Sequence, residues 1–245
     1  VTTDQEIALV TSAGACLSAI ATFWTVLQIK KQREASYRPE LVFSRSYFTA
    51  IAAADEGARL LTQWVAGARC DLPPSPQATK PLAIPLRNVG LAAAKDLTIQ
   101  WSFPLEQTVD YVNKVAQRTL TPAYFSINDL GVSFESETLG KVMSMWRNQA
   151  RVELDFVLPA SVEEEPLTVE LPHAYVLLSS AVVFFDWKDK EGKNAAKFQM
   201  PVLSATIGYS DIADGSHRTS FELRPEVTMV SDTAFTGIFV SAKVK

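Results

Sequence analysis

Two histidines and two cysteines in 245 residues leave little material for metal or nucleophile chemistry. No two His, Cys or carboxylate groups fall at metal-ligand spacings. The patterns G-x-S-x-G, P-loop and H-E-x-x-H are missing as well. The expectation is therefore no catalytic residues, no cofactor and no metal. His217 follows the Asp214-Gly215 turn, where a lone histidine reads as a solvated residue. Cys16 lies in an apolar stretch and Cys70 beside a proline-rich loop, so no disulfide is expected, which suits a reducing compartment. Arg69 next to Cys70 favours a thiolate, but a nucleophile also needs a base and an oxyanion site.

A basic excess is also missing. The net charge of −4 argues against a nucleic-acid partner. Charged residues make up 20% of the chain, below the usual soluble value of about 25%. The segment "DWKDKEGK" (186–193) superficially resembles a calcium loop. Lys188 and Lys190 stand where oxygen ligands are needed, so it reads as a solvated turn. "VEEEP" (162–166) reads as an exposed acidic loop. Trp64, Trp101, Trp146 and Trp187 lack an accompanying basic stripe and read as core aromatics.

What is present is one long apolar run. Ile7 to Ile29 carries no formal charge. As a helix it is about 34 Å long, against a hydrocarbon core of about 30 Å. A cleaved signal fits poorly: the preceding residues are acidic (Asp4, Glu6), the run is too long, and no A-x-A site follows. A membrane anchor is favoured over a buried helix and over a signal.

Lys30, Lys31, Arg33 and Arg38 flank its C-terminal end, and nothing basic flanks the other. The positive-inside rule then puts the body in the cytoplasm, with the anchor in a bacterial inner membrane. Phe23 and Trp24 sit near the inner interface, and the basic cluster can touch anionic headgroups. The chain starts with Val. A GTG start codon read literally gives this, and so does trimming of a longer chain.

The run has two faces. Thr11, Ala15, Ser18, Thr22 and Thr25 recur at alternating spacings of four and three, among further alanines and Gly14. The opposite side carries Leu9, Ala13, Cys16, Leu17, Ile20, Phe23, Trp24 and Leu27. Small and hydroxyl residues let helix backbones approach, whereas bulky ones suit lipid. The seam predicts packing against another transmembrane helix, from a second copy of the chain or a partner membrane protein. The alternative is an anchor whose small residues do nothing.

Beyond Pro39, which stops the helix, the pattern is β. Glu40–Tyr47 alternates with Leu41, Phe43 and Tyr47 on one face. Residues 50–70 are ambiguous, and 71–81 form a proline-rich loop. Leu82, Ile84 and Leu86 alternate, Asn88-Val89-Gly90 turns, and Leu97, Ile99, Trp101 and Phe103 alternate again. The two strands need not be neighbours. Helical spacing of Leu105, Val109, Val112 and Val115 predicts a short helix over 105–118, within an insertion spanning about 104–150.

Strands are predicted at 149–159, with Val152, Leu154, Phe156 and Leu158 alternating, and at 167–171. A hairpin is predicted over 203–223, and a last strand at the end of the chain. Residues 173–187 fit either a buried helix or a hairpin, and the helix is favoured. Six to eight strands with one or two helical insertions indicate a mainly β chain. It reads as an N-terminal tail, transmembrane helix and basic junction (1–33), then a β-sandwich domain (38–245).

"YRPEL" (37–41), Asn88-Val89-Gly90 through Ala94-Lys95, and Tyr209-Ser210-Asp211-Ile212 through Gly215 and Phe221 together carry a resemblance. In these the chain resembles uncharacterised bacterial single-pass membrane-anchored proteins with an immunoglobulin-like β-sandwich domain. The resemblance covers most of the chain except 104–150. It implies the sandwich and its place at a membrane, and it brings no activity and no site residues.

The expected function is a non-enzymatic, membrane-tethered interaction or assembly module. The alternatives are a sensor or regulatory subunit of a stress, defence or transport system, with a pocket beside the insertion, and a hydrolase with an unrecognised site.

Overall fold

A computed structural model describes residues 3–51, 60–67, 82–136, 140–189, 198, 200–231 and 234–244. The proline-rich loop, Cys70 and residues 190–193 lie outside them. Helix α1, Thr3–Ser36, is longer than the uncharged run and carries Lys30 and Lys31 within it. Its segment Thr11–Gln32 is long and apolar enough to cross a membrane, and none of that segment is buried by the rest of the chain. The helix ends just before Tyr37-Arg38-Pro39, where proline forbids the α conformation of the residue ahead of it.

The remainder is mainly β. Seven strands form one antiparallel sheet. They are β2 (Ser46–Ile51), β3 (Gln63–Ala66), β5 (Ala94–Ser102), β9 (Arg151–Val157), β11 (Leu203–Ser210), β12 (Ser216–Val230) and β13 (Ala234–Val244), in the order β3-β2-β13-β12-β11-β5-β9. The sheet is curled. β1 (Leu41–Phe43), β4 (Ala83–Asn88) and β10 (Leu167–Glu170) form a second sheet in the order β1-β4-β10. The inner faces of both sheets share one core: Leu41, Ile84, Leu86 and Val169 from the smaller sheet join Phe48, Ile99, Trp101 and Phe239 from the larger. β4 and β5 thus lie in different sheets, as the wide connection between them allows.

Between the adjacent strands β5 and β9, the chain forms α2 (Leu105–Arg118), a three-stranded sheet β6-β7-β8 (Ala123–Ile127, Val132–Ser136, Gly140–Ser144) and the short α3 (Trp146–Gln149). The three strands were not foreseen in the sequence; they are five residues each and rich in serine. Residues 173–189 are helical, forming α4. It is apolar all round because it lies between two cores. Tyr175 and Val183 enter the sheet core. Leu178, Ala181 and Phe185 enter a second core with Val109 and Val112 of α2 and Phe125 and Phe134 of the small sheet.

Several expectations are corrected. Thirteen strands occur among the described residues, against six to eight predicted. Tyr47 is exposed, not on the Leu41–Phe43 face. The chain changes sheets between β1 and β2 at Ser44-Arg45, and the side-chain alternation restarts there. Phe156 is exposed, and its neighbour Val157 is buried instead. The cause lies on the partner strand. Asp96 adopts a left-handed backbone (φ 52°), and the β11–β5 register shifts opposite it, between Gly208 and Ser210. Such a bulge moves the buried face by one residue. Ala94 and Leu97 therefore point inward, and so do their partners Val157 and Leu154 on β9.

Candidate interaction site at the helix–body junction

The three motifs quoted above are far apart in sequence and meet at one place, the segment Tyr37–Leu41 where α1 hands over to the body. Asn88 closes β4 opposite Leu41 and is only 1% exposed. A buried carboxamide must satisfy two donors and an acceptor. Its Oδ1 accepts the backbone N–H of Glu40 (3.1 Å) and of Gly90 (3.0 Å). Its Nδ2 donates to the carbonyls of Ala92 (2.6 Å) and Val157 (3.2 Å). One side chain thus joins the junction, the turn after β4 and the end of β9. The N–H of Val89 donates to the Glu40 carbonyl at 2.8 Å.

Gly90 lies flat against this segment. A Cβ there would fall within 3 Å of backbone atoms of Arg38, Pro39 and Glu40. Only glycine allows that approach.

The β11–β12 hairpin closes the other side. The Tyr209 hydroxyl donates to the Pro39 carbonyl at 3.1 Å, and its ring packs on the His217 imidazole, with centroids 5.2 Å apart. His217 Nε2 lies 2.8 Å from Asp211 Oδ2. Asp211 Oδ1 accepts the N–H groups of Ala213 and Gly215, both at 2.8 Å, which folds the turn around its own carboxylate. The hydrogen bond to His217, then that from Gly215, holds the Asp211 carboxyl below the usual carboxylate range. His217 is therefore not the solvated turn residue expected: its side chain is 16% exposed and hydrogen-bonded to Asp211. Lys95, beside the Asp96 bulge, pairs with Asp214 at 2.6 Å, and that contact raises the ammonium pKa.

On α1, Thr11, Ala15, Ser18, Thr22 and Thr25 are all exposed. The Thr22 and Thr25 hydroxyls donate to the carbonyls of Ser18 and Ala21, one turn back, at 2.9 and 2.8 Å. Their polar groups are satisfied within the helix, and their methyl groups and oxygen lone pairs remain for a neighbour. Lys30 and Lys31 are exposed near the end of α1, Arg33 lies in its last turn, and Arg38 is exposed beside Gly90. Cys16 is exposed as well.

A second polar cluster ties α2 to α4. Asp186, 3% exposed, accepts the Tyr111 hydroxyl at 2.5 Å. Burial, then this hydrogen bond, pushes the phenol up to about 12. Arg118 makes two hydrogen bonds to Asp189, at 2.8 and 2.6 Å, and Lys188 donates to Thr121 at 2.8 Å. Residues 186–189 are thus the last turn of a helix and not a solvated turn. Away from the insertion, a shallow hollow lined by Leu86, Asn88, Val157, Ala160 and Pro166 has a cavity volume of about 10 Å³. That is small beside ligand pockets of about 300–1,000 Å³. Among the described residues no three His, Cys, Asp or Glu side chains group as metal ligands.

The motif positions were legible in the sequence as turn formers, but their convergence was not. The Glu40–Asn88 contact spans 48 residues and the Pro39–Tyr209 contact 170. Comparisons with known proteins return no matching family model, no matching curated protein and no matching solved structure.

Proposed function

We propose that the chain is a non-enzymatic, membrane-tethered interaction or assembly module. Helix α1 spans a bacterial inner membrane once, with the body in the cytoplasm, and packs against another transmembrane helix. The observation that carries this reading is an apolar helix segment, Thr11–Gln32, that its own fold leaves wholly uncovered. Such a surface needs lipid or protein around it, since water does not solvate it favourably. The basic residues Lys30, Lys31, Arg33 and Arg38 on one side only support the orientation.

The body reads as an immunoglobulin-like sandwich. The core shared by the larger sheet and the β1-β4-β10 sheet supports that reading, as does the resemblance to bacterial membrane-anchored proteins. The seam Thr11, Ala15, Ser18, Thr22 and Thr25 is the contact face. Closely packed small side chains supply van der Waals contact where lipid offers no hydrophobic drive.

Oxidative cross-linking of single cysteines in native membranes tests the packing. In a background with Cys16 and Cys70 replaced by serine, cysteines at Ser18 and Thr22 join to a second copy or a partner. A chain that keeps Cys16, on the bulky face, as its single cysteine is the control and cross-links weakly. Equal cross-linking at Cys16 and Thr22, or none at either, contradicts the seam.

A further inference from the structure

We infer that the junction end of the body rests on the bilayer that holds α1, inserting apolar loop tips at headgroup depth. The inference rests on the anchor reading above and adds a second membrane contact to it. Four large apolar side chains stand exposed at this end: Val89 (53%), Leu91 (59%), Phe156 (59%) and Ile212 (65%). They come from three segments that the fold brings together. Val89 and Leu91 flank Gly90, which touches the backbone of Arg38–Glu40. Ile212 tips the hairpin whose Tyr209 holds Pro39. Phe156 sits opposite Lys95, which reaches the same hairpin at Asp214.

Depth follows from helix geometry. The charge-free run ends at Ile29, with Lys30 and Lys31 reaching the headgroups, and α1 ends at Ser36. Seven more residues at 1.5 Å each carry the chain about 10 Å along the helix axis, and less along the bilayer normal once the helix tilts. The headgroup layer is about 5–8 Å thick on each side. Residues 37–40 therefore lie at the outer edge of that layer, which puts the loop tips fastened to them within reach of it. Val89 and Leu91 are fastened by the four hydrogen bonds of Asn88.

The charges at this end allow shallow immersion only. Asp211 is hydrogen-bonded to His217, and Asp214 is ion-paired with Lys95. Glu40, Asp96, Asp155 and Glu163–Glu165 are exposed around the four apolar side chains and stop the immersion at headgroup depth. Apolar contact therefore drives the insertion, and it persists on uncharged lipid. Fixing the body this way also fixes its angle to the membrane, so a partner meets it in one orientation.

The test uses the full chain in phosphatidylcholine vesicles, with Cys16 and Cys70 replaced by serine. An environment-sensitive fluorophore is attached through single substitutions Leu91→Cys, Ile212→Cys, Met229→Cys and, on the bulky face of α1, Ile20→Cys. Met229 lies near the far end of β12. Spin-labelled lipid quenches labels at 91 and 212 several-fold more than the label at 229, because apolar side chains at the interface enter the headgroup/acyl boundary. Aqueous quenchers show the reverse order. Labels at 91 and 212 that behave like 229, while the label at 20 is quenched by lipid, overturn the docking and leave the anchor standing. Labels at 91 and 212 shielded from both quenchers point to a protein partner at this rim and also overturn it. A label at 20 untouched by lipid overturns the anchor reading and this inference with it.

Discussion

Asn88 concentrates more of the junction than any other described side chain, and its removal is the sharpest residue-scale test. Asn88→Ala leaves two backbone N–H groups and two carbonyls without their partner. Water reaches some of them, so the expected loss is about 3 kcal/mol of unfolding free energy, not the full sum for four groups. Urea denaturation of the detergent-solubilised chain measures it, and a loss below about 1 kcal/mol contradicts the keystone role. Asp211 gives a pH dependence. Its carboxyl is held below the ordinary value, so its protonated form is favoured in the unfolded chain. The stabilisation is present above the unfolded value of about 4 and fades as pH falls through the lower native value. Asp211→Asn is therefore less stable than the parent at pH 6, and the two converge in acid. A stability gap that widens below pH 4 contradicts the assignment. Neither residue was legible as a site. Asn88 reads as a turn former in its own stretch, and its partners lie on segments that nothing local connects to it.

At the scale of elements, what was legible depended on whether periodicity had a single cause. β11 alternates cleanly because one face meets the core along its whole length: Leu203, Ala205, Ile207 and Tyr209 are all buried. α2 was equally plain because one helical face, Val109, Val112 and Ala116, packs inward. α4 was ambiguous because a helix buried on both sides loses its amphipathic period. The outward turn of Phe156 could not be read from β9, since the bulge that causes it sits at Asp96 on β5. A prediction belongs to the end of α2. Leu120 takes a left-handed backbone (φ 50°) and is 89% exposed. The N–H groups of Leu120 and Thr121 donate to the Gln117 and Ala116 carbonyls, a Schellman cap that favours glycine. Leu120→Gly relieves that conformation without loss of packing and raises stability by about 1 kcal/mol in thermal unfolding. A destabilised Leu120→Gly variant means that the leucine makes a contact worth more than its strain.

The whole molecule is a long apolar helix joined to a β-rich body by a collar of hydrogen bonds and close backbone contact, not by a loose linker. A linker would let the body drift from the helix; the collar holds it at the helix end. The β-rich class, the apolar helix and the basic junction could be read from the sequence, because composition and period carry them. The collar could not, because it is built from contacts between distant segments. The account stands on α1 crossing a membrane with the body on the basic side. Cysteines placed at Thr3 and at Lys243, in a chain lacking Cys16 and Cys70, test this with a membrane-impermeant maleimide. In intact bacterial cells whose outer membrane has been opened, the account predicts labelling at residue 3 and none at 243 until the inner membrane is broken. Labelling at 243 in the intact cells, or recovery of the chain in the soluble fraction, would contradict it.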